Sequence, residues 1–271
     1  MDTRTAAARF RALHQGPSPL LLPNAWDAGS ARVIESSGAQ AIATTSAGLA
    51  WASGYPDGYA LPVQSLVATV TEIARVIRVP LSVDMEAGYA DALDAIADNA
   101  QALASAGAVG INLEDGTSPP DVLCERIAAT KRGAARAGVD LFVNARCDVF
   151  LRALTAPERA VEESISRGRR YRDAGADGFF LPGVVDPAII RQVVGGVPLP
   201  LNVLVRAGLP RVSVLMELGV RRVSAGSGIS GAVLGLTRRA VRQFLDGGTY
   251  EAMLDGAIPY AELNALFAER T

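Results

Sequence analysis

Several residue types that define whole classes of protein are scarce in this chain. Its 271 residues include one histidine, His14, and two cysteines, Cys124 and Cys147. A single histidine argues against a Ser-His-Asp triad and against a zinc site built from several histidines. Two cysteines cannot form a disulfide framework. No apolar run reaches the roughly 18–20 residues that cross a bilayer, and the first residues lack the apolar segment of a secretory signal.

Charge is also sparse and balanced. The formal net charge is -2, and no basic run is present, so neither nucleic acid nor a membrane is an expected partner. We therefore expect a cytoplasmic protein. Hydrophobic residues make up 49% of the chain, which is ample for one large core. Because no linker or low-complexity segment interrupts the sequence, we expect a single domain over 1–271, in which 248–271 form a C-terminal helical tail.

Apolar strand-like segments alternate with amphipathic helix-like segments about every 30 residues, as in repeated βα units. Eight strands and this length predict an α/β fold, a (β/α)8 TIM-type barrel with extra C-terminal helices. The predicted helices include 62–77, 92–106, 157–174 and 229–246. The tail must bury an apolar face either on its own barrel or on a partner subunit, and the sequence leaves both open. The strands are predicted at 19–25, 41–46, 81–86, 110–115, 141–147, 178–182, 199–205 and 222–226.

Carboxylates follow two neighbouring predicted strands. Asp84 and Glu86 end the third, and Asn112 and Glu114 end the fourth. Side chains alternate along a strand, so each pair is expected to share a face. Clustered carboxylates repel one another unless a cation lies among them, and oxygen ligands favour a hard ion such as Mg²⁺. This pattern predicts a metal-dependent enzyme.

Other polar residues collect at the same strand ends, where (β/α)8 barrels place their active sites. Arg146 is either a forked clamp for a substrate carboxylate or a structural ion-pair partner. Tyr89 either shapes a turn or reaches the substrate. Asp115 is expected to cap the following helix, and Cys147 is expected to be a buried small residue.

Six segments, in order along nearly the whole chain, resemble motifs of the isocitrate lyase / phosphoenolpyruvate mutase superfamily. Asp84-Met85-Glu86-Ala87-Gly88-Tyr89 is similar to its Asp-x-(Asp/Glu)-x-Gly-Tyr motif, and Leu113-Glu114-Asp115 to Ile-Glu-Asp. The remaining four are Pro23-Asn24-Ala25-Trp26-Asp27, Thr44-Thr45-Ser46-Ala47-Gly48, Gly54-Tyr55-Pro56-Asp57-Gly58 and Asn144-Ala145-Arg146-Cys147-Asp148.

The resemblance implies an α/β barrel that forms a homo-oligomer, a dimer or tetramer, in which the eighth helix or the tail packs on a neighbour. It implies Mg²⁺, with Mn²⁺ as the alternative ion, held mainly by Asp84 with Asp57, Glu86 and Glu114. It implies catalytic roles for Asp57, Arg146 and Tyr89. The implied contacts to a 2-oxo acid substrate come from Trp26, Thr45, Ser46, Ala47, Asp84, Arg146 and Asn202.

One departure from the family bears on the reaction. Family lyases carry Lys-Lys-Cys-Gly-His on a loop after the fourth strand, whereas residues 116–124 of this chain contain no lysine, histidine or asparagine. Cys124 falls in the next predicted helix. A retro-aldol cleavage needs an acid and a base, whereas decarboxylation of oxaloacetate needs mainly an electron sink. We therefore predict a Mg²⁺-dependent lyase for a short 2-oxo dicarboxylate. The alternatives are a C–P bond hydrolase or phosphonomutase, a 2-methylisocitrate- or isocitrate-type lyase, and a non-catalytic 2-oxo acid binder.

Overall fold

A computed structural model describes residues 2–268 and contains one parallel sheet. The sheet order is β1-β9-β8-β7-β6-β5-β4-β3-β2. The strands are β1 (Leu20–Leu22), β2 (Asn24–Ala25), β3 (Ile42–Thr44), β4 (Leu81–Asp84), β5 (Ala108–Glu114), β6 (Phe142–Arg146), β7 (Gly178–Phe180), β8 (Leu201–Leu204) and β9 (Arg222–Ser224).

The two ends of this sheet meet at a single stretch of chain. β1 pairs with β9 and β2 pairs with β3, and only Pro23 separates β1 from β2. Proline lacks the N–H that would continue a ladder, so one barrel strand is divided into two halves. The strands therefore occupy eight positions around a barrel, and all eight predicted strands lie where the sequence placed them.

Helices follow the strands and surround the barrel. The helices at Val63–Val76, Leu93–Ser105 and Ala160–Asp173 confirm predicted ones, and Pro157–Arg159 forms a short 3-10 turn before the last of these. The full set is α1 (Thr3–Leu13), α2 (Ala28–Ser36), α3 (Ser46–Ala52), α4 (Val63–Val76), α5 (Leu93–Ser105), α6 (Pro120–Arg136), α7 (Ala160–Asp173), α8 (Pro187–Gly196), α9 (Val212–Glu217), α10 (Gly228–Gly247), α11 (Glu251–Leu254) and α12 (Tyr260–Ala268).

Strand alternation divides the core into two layers. On β5 and β6, Ile111, Leu113, Val143 and Ala145 belong to the large apolar cluster shared with the helices. Between them, Asn112 lies opposite Asn144, and Asn144 Nδ2 donates to Asn112 Oδ1 at 2.9 Å. The barrel interior thus carries polar side chains at the level of Asn112 and Asn144, whereas its other end is filled by an apolar cluster that includes Phe10, Leu20 and Phe142. Cys147 is fully buried in the apolar layer, as predicted.

Helix α1 closes the amino-terminal end of the barrel and buries His14, although the sequence around His14 is largely polar. His14 is 3% exposed; its ring stacks on Phe142 at 4.2 Å, and its Nδ1–H donates to the Phe10 carbonyl at 2.8 Å. Phe10 packs against Gly110 so closely that a Cβ there would lie 2.5 Å from Phe10 Cε1. Glycine at 110 therefore permits the helix to seat under the barrel.

The carboxyl-terminal helices are less fully packed. α12 contacts α2, where Arg32 Nε donates to the Leu266 carbonyl at 2.7 Å. α10 instead leaves Leu234, Phe244 and Leu245 exposed. None of the helices in residues 2–268 combines the length and the apolar character needed to span a bilayer.

Candidate active site at the carboxyl ends of the strands

A cavity of about 210 Å³ opens at the carboxyl ends of the strands; we call it the mouth cavity. Six of the residues predicted for the site line it: Thr45, Ser46, Ala47, Asp57, Asp84 and Arg146. Asn24, Asn112, Ser224 and Gly226 add polar groups from the first, fourth and eighth strand positions. The cavity is smaller than the 300–1,000 Å³ typical of drug-sized pockets, so it suits a small polar molecule.

Asp84 ends β4 and presents its carboxylate to the mouth cavity. Oδ2 accepts from the backbone N–H of Ser46 at 3.3 Å, and Oδ1 accepts from that of Glu86 at 3.4 Å. In residues 2–268, no arginine, lysine or histidine nitrogen lies within 4 Å of the Asp84 carboxylate. The ion-paired arginines nearby contact other carboxylates, namely Glu114, Asp115 and Asp148. A half-buried carboxylate that contacts only weak donors can still accept a cation.

Glu86 and Glu114 lie behind the mouth cavity and do not line it. β4 ends at Asp84, and Glu86 adopts φ 47°, so the chain turns before the strand alternation would bring the two side chains together. Tyr89 Oη donates to Glu86 Oε1 at 2.8 Å, and the backbone N–H of Tyr59 donates to Glu86 Oε2 at 2.7 Å. Tyr59 Oη donates to Glu114 Oε1 at 2.8 Å. Two tyrosines therefore hold the two glutamates in place.

Burial controls the charge of these groups. It raises the pKa of Glu114 to about 7, with Arg146 opposing the rise and Asp84 adding to it. Burial is also the main reason that the pKa of Glu86 is raised, and the neighbouring Asp84 adds to it. The pKa values of Tyr59 and Tyr89 are raised by burial and by the same glutamates. Both phenols therefore stay protonated and serve as hydrogen-bond donors.

Arg146 is anchored by carboxylates on two sides. Its Nε and Nη2 donate to Asp148 at 2.7 and 3.0 Å, and Nη1 lies 2.6 Å from Glu114 Oε2. Arg152 Nε donates to Asp148 as well, at 2.9 Å. A guanidinium has five N–H groups, and these contacts use three of them. The Nε and Nη2 pair, which could have held a substrate carboxylate through two hydrogen bonds, is thus occupied by Asp148. Two N–H groups of the Arg146 guanidinium remain without a partner among these contacts.

Asp115 does not cap a helix, contrary to the prediction. α6 has Pro119 as its N-cap and no side-chain cap. Asp115 is buried; its Oδ1 accepts from the Asp148 backbone N–H at 2.8 Å, and its Oδ2 accepts from Arg167 at 2.8 Å and from Tyr171 Oη at 2.6 Å. This cluster fixes the chain segment that carries Asp148, and through it Arg146.

The other predicted site residues lie outside the mouth cavity. Tyr89 lines a neighbouring cavity of about 440 Å³ with Tyr59, Arg126 and Arg152. Trp26 packs near Gly48, where a Cβ would lie 3.0 Å from the Trp26 Cβ. Asn202 is fully buried below the cavity floor and accepts from Ser224 Oγ at 3.1 Å.

The sequence analysis did not assign Ser224 and Gly226, which line the mouth cavity, and it also missed Tyr59 and Arg222. Tyr59 follows Asp57 and Gly58 directly, and that proximity to a predicted ligand was the available signal. Arg222 is fully buried inside the barrel. The sequence feature that could have indicated Arg222 is its position, because it is a charged residue at the first position of a predicted strand.

The donor set fits a hydrated divalent cation rather than a closed cage. Within residues 2–268, no three histidine, cysteine or acidic side chains converge closely enough to enclose an ion. Mg²⁺ commonly keeps several waters and takes only one or two protein carboxylates together with substrate oxygens. Asp84, without a cationic partner, and Asp57 line the same cavity and fit that pattern. Glu86 and Glu114, the other two predicted ligands, do not line that cavity.

Comparison with known proteins gives consistent matches. The family model for phosphoenolpyruvate phosphomutase matches residues 10–245. A Mycobacterium tuberculosis protein without an assigned function is 38% identical over 257 residues, 94% of this chain and 95% of that protein. The oxaloacetate decarboxylase of Pseudomonas savastanoi is 30% identical over 223 residues, 78% of this chain and 75% of that enzyme. The crystal structure of a Burkholderia cenocepacia protein, provisionally named a lyase/mutase, is 35% identical in sequence with a TM-score of 0.89, and the match covers 98% of this chain and 97% of that one.

Proposed function

Because this chain belongs to the phosphoenolpyruvate phosphomutase family, within the isocitrate lyase / phosphoenolpyruvate mutase superfamily, we propose that it is a Mg²⁺-dependent carbon–carbon lyase for a short 2-oxo dicarboxylate. The reaction we favour is decarboxylation of oxaloacetate. Relatives of this chain include enzymes named oxaloacetate decarboxylase and 2-methylisocitrate lyase.

The observation that carries the proposal is the pairing of charges in one small cavity. Asp84 offers a carboxylate without a cationic partner, and Arg146, which lines the same cavity, has two N–H groups that Asp148 and Glu114 do not engage. A bound Mg²⁺, or Mn²⁺ in its place, would supply at Asp84 the positive charge that stabilises an enolate oxygen. Arg146 would hold a carboxylate of the same substrate, and Glu114 and Asp148 would keep its guanidinium in position.

The segment 116–124 after β5 brings no acid into the mouth cavity, which favours decarboxylation; Asp121, its one carboxylate, is exposed and pairs with Arg170. No residue from 116–124 lines the mouth cavity. Cys124 lies in α6 with its Sγ 3.7 Å from the Arg170 carbonyl, and burial raises its pKa. Loss of carbon dioxide from oxaloacetate leaves the enolate of pyruvate, which can take its proton from solvent. A retro-aldol reaction would need a protein acid at the substrate, and residues 116–124 do not place one in the mouth cavity.

The proposal is tested by measuring products from three substrates with the same protein. Oxaloacetate should give pyruvate and carbon dioxide in a Mg²⁺-dependent reaction. Phosphate from phosphonopyruvate would replace the proposal with C–P bond hydrolysis. Succinate and pyruvate from 2-methylisocitrate would replace it with a retro-aldol lyase. Ligand-dependent thermal stabilisation without any product would indicate a non-catalytic 2-oxo acid binder.

We further propose that the protein is a homo-oligomer in which α10 is exchanged between subunits. In a (β/α)8 barrel the eighth helix packs between the first and the seventh. Here that position, between α2 and α9, is an apolar groove of about 900 Å³. Leu21 of β1 is 51% exposed in it, although it lies on a barrel strand. α10 meanwhile exposes Phe244 at 53% and Leu245 at 73%. The α10 helix of a second copy is an apolar surface of the right kind for this groove.

Substitution on α10 tests the exchange. Phe244→Asp combined with Leu245→Asp should convert the oligomer to monomer in analytical ultracentrifugation. Arg242→Glu, which changes an exposed polar residue of the same helix, should leave the mass unchanged. A wild-type protein that sediments as a monomer would contradict the proposal.

A further inference from the structure

The barrel interior contains a buried charge that the proposed reaction does not use. Arg222 is 0% exposed, and within residues 2–268 no carboxylate oxygen lies within 4 Å of its guanidinium. Its Nη1 has no hydrogen-bond partner in this part of the chain. Burying a charge without a paired counter-charge destabilises a fold. A residue that weakens the fold in this way calls for another role.

The charge is present at neutral pH. Burial lowers the pKa of Arg222 only to about 9, and the carboxylate whose charge opposes that change is Asp84. Asp84 lines the mouth cavity. Arg222 Nη2 also donates to Asn112, another residue of the cavity lining, so the guanidinium lies next to the cavity and contributes positive potential to it.

Arg222 also fixes the orientation of the floor residues. Its Nη2 donates to Asn112 Oδ1 at 3.2 Å, and Asn144 Nδ2 donates to the same oxygen at 2.9 Å. With Oδ1 committed to two donors, Asn112 Nδ2 faces away from them, and no acceptor in residues 2–268 engages it. Asn112 lines the mouth cavity. Its amide N–H is thus left as a donor for a ligand oxygen.

The hydroxyl of Ser224 is set by the same guanidinium. Arg222 Nε donates to Ser224 Oγ at 3.1 Å, so the hydroxyl proton is directed to Asn202 Oδ1, also at 3.1 Å. Ser224 lines the mouth cavity as well. One buried arginine therefore determines which atoms two floor residues present.

We infer that Arg222 is a positioning residue of the mouth cavity, which orients Asn112 and Ser224 and supplies positive potential for the carboxylate of a 2-oxo dicarboxylate. The class of ligand rests on the proposed function. The chemistry requires only an anion with oxygen acceptors, so the inference can be tested by binding, independently of turnover.

The test compares stability with oxalate affinity in the full-length protein. Oxalate, measured by calorimetry in the presence of Mg²⁺, serves as a small dianionic probe. Arg222→Met keeps the length of the side chain and removes its charge, so we expect a higher unfolding temperature without ligand. We expect oxalate affinity to fall by about tenfold, since a hydrogen bond to a charged group contributes about 1.5 kcal/mol or more.

A double-mutant cycle separates positioning from general structural support. If Arg222 acts through Asn112, Asn112→Ala should weaken oxalate binding. The loss of binding free energy in the double variant should then be much smaller than the sum of the losses in the two single variants. Additive losses would overturn the inference. So would unchanged oxalate affinity in Arg222→Met, or a lower unfolding temperature accompanied by normal binding. Should Arg222→Met not fold, Arg222→Lys decides instead: it keeps the charge without the fork, and normal affinity there would contradict positioning.

The outcome is distinguishable from failure of the proposed function. Loss of oxalate affinity in Arg222→Met, with no turnover of oxaloacetate by the wild type, would support the inference and reject decarboxylation. Turnover of oxaloacetate by the wild type, with unchanged oxalate affinity in Arg222→Met, would support decarboxylation and reject the inference about Arg222. Absence of oxalate binding to the wild type would overturn the inference.

Discussion

Acid should destabilise the ligand-free protein through one identifiable side chain. His14 is the only histidine of the chain, and it is buried between α1 and the barrel. Burial, with a contribution from the charge on Arg222, lowers its pKa from 6.5 to about 3. The unfolded chain therefore takes up a proton on His14 at a pH where the folded protein does not. The stability that neutral His14 contributes is present above pH 6.5 and is lost as the pH falls towards 3.

The size of the effect follows from the two pKa values. At pH 5 the unfolded histidine is almost fully protonated and the folded one is neutral, which corresponds to a loss of about 2 kcal/mol relative to pH 7. Urea denaturation at pH 7 and pH 5, followed by tryptophan fluorescence, measures this loss. Carboxylates also titrate in this range, so the wild type must be compared with a variant that differs only at His14.

His14→Phe is the matched variant, because phenylalanine keeps an aromatic ring against Phe142 and has no titrating group. The lost hydrogen bond to the Phe10 carbonyl affects both pH values equally and cancels. We expect the wild type to lose about 2 kcal/mol more than His14→Phe between pH 7 and pH 5. Equal losses in the two proteins would refute the reasoning that His14 is buried in its neutral form.

Three further predictions follow from packing and charge. Arg146→Lys should raise KM for a 2-oxo dicarboxylate by about tenfold or more, because one ammonium cannot replace the guanidinium; unchanged KM would return Arg146 to a structural role. Asp115→Asn should lower the free energy of unfolding by about 3 kcal/mol in urea denaturation, because Arg167 loses its buried counter-charge and keeps only the partly exposed Glu163; a loss below about 1 kcal/mol would contradict that account. Gly110→Ala should destabilise by about 1–3 kcal/mol through overpacking against Phe10. Gly195→Ala, where a Cβ meets nothing within 4 Å, is its control, and similar losses in both would refute the packing argument.

The barrel could be predicted because each strand is an apolar segment bounded by glycine or polar residues, and this pattern repeats eight times. The position of the site followed from the same pattern, since Thr45, Asp84 and Arg146 each end or directly follow a strand. These predictions depend on local sequence alone. They needed no knowledge of how distant segments pack.

What could not be predicted depends on contacts between distant residues. Glu86 lies beyond the end of β4, and its backbone turns at φ 47°, so the strand alternation on which the prediction rested does not extend to it. Helix α1 was missed because Phe10 is its one large buried apolar residue, and alanines supply the others. Arg222 contacts Ser224, its neighbour on β9, and Asn112 on β5, which is 110 residues away in the sequence. Its role in the cavity floor becomes visible only once the barrel is closed.

The most direct test of the central claim is the rate of pyruvate release from oxaloacetate by purified protein, with and without Mg²⁺, compared with the metal-catalysed reaction in buffer. We predict turnover well above that background, which requires Mg²⁺ and disappears in Asp84→Ala. Asp91→Ala, which changes an exposed carboxylate outside the mouth cavity, should retain turnover. Circular dichroism should show that both variants remain folded. Turnover in folded Asp84→Ala equal to that of the wild type, or no turnover above background in the wild type, would contradict the proposed function.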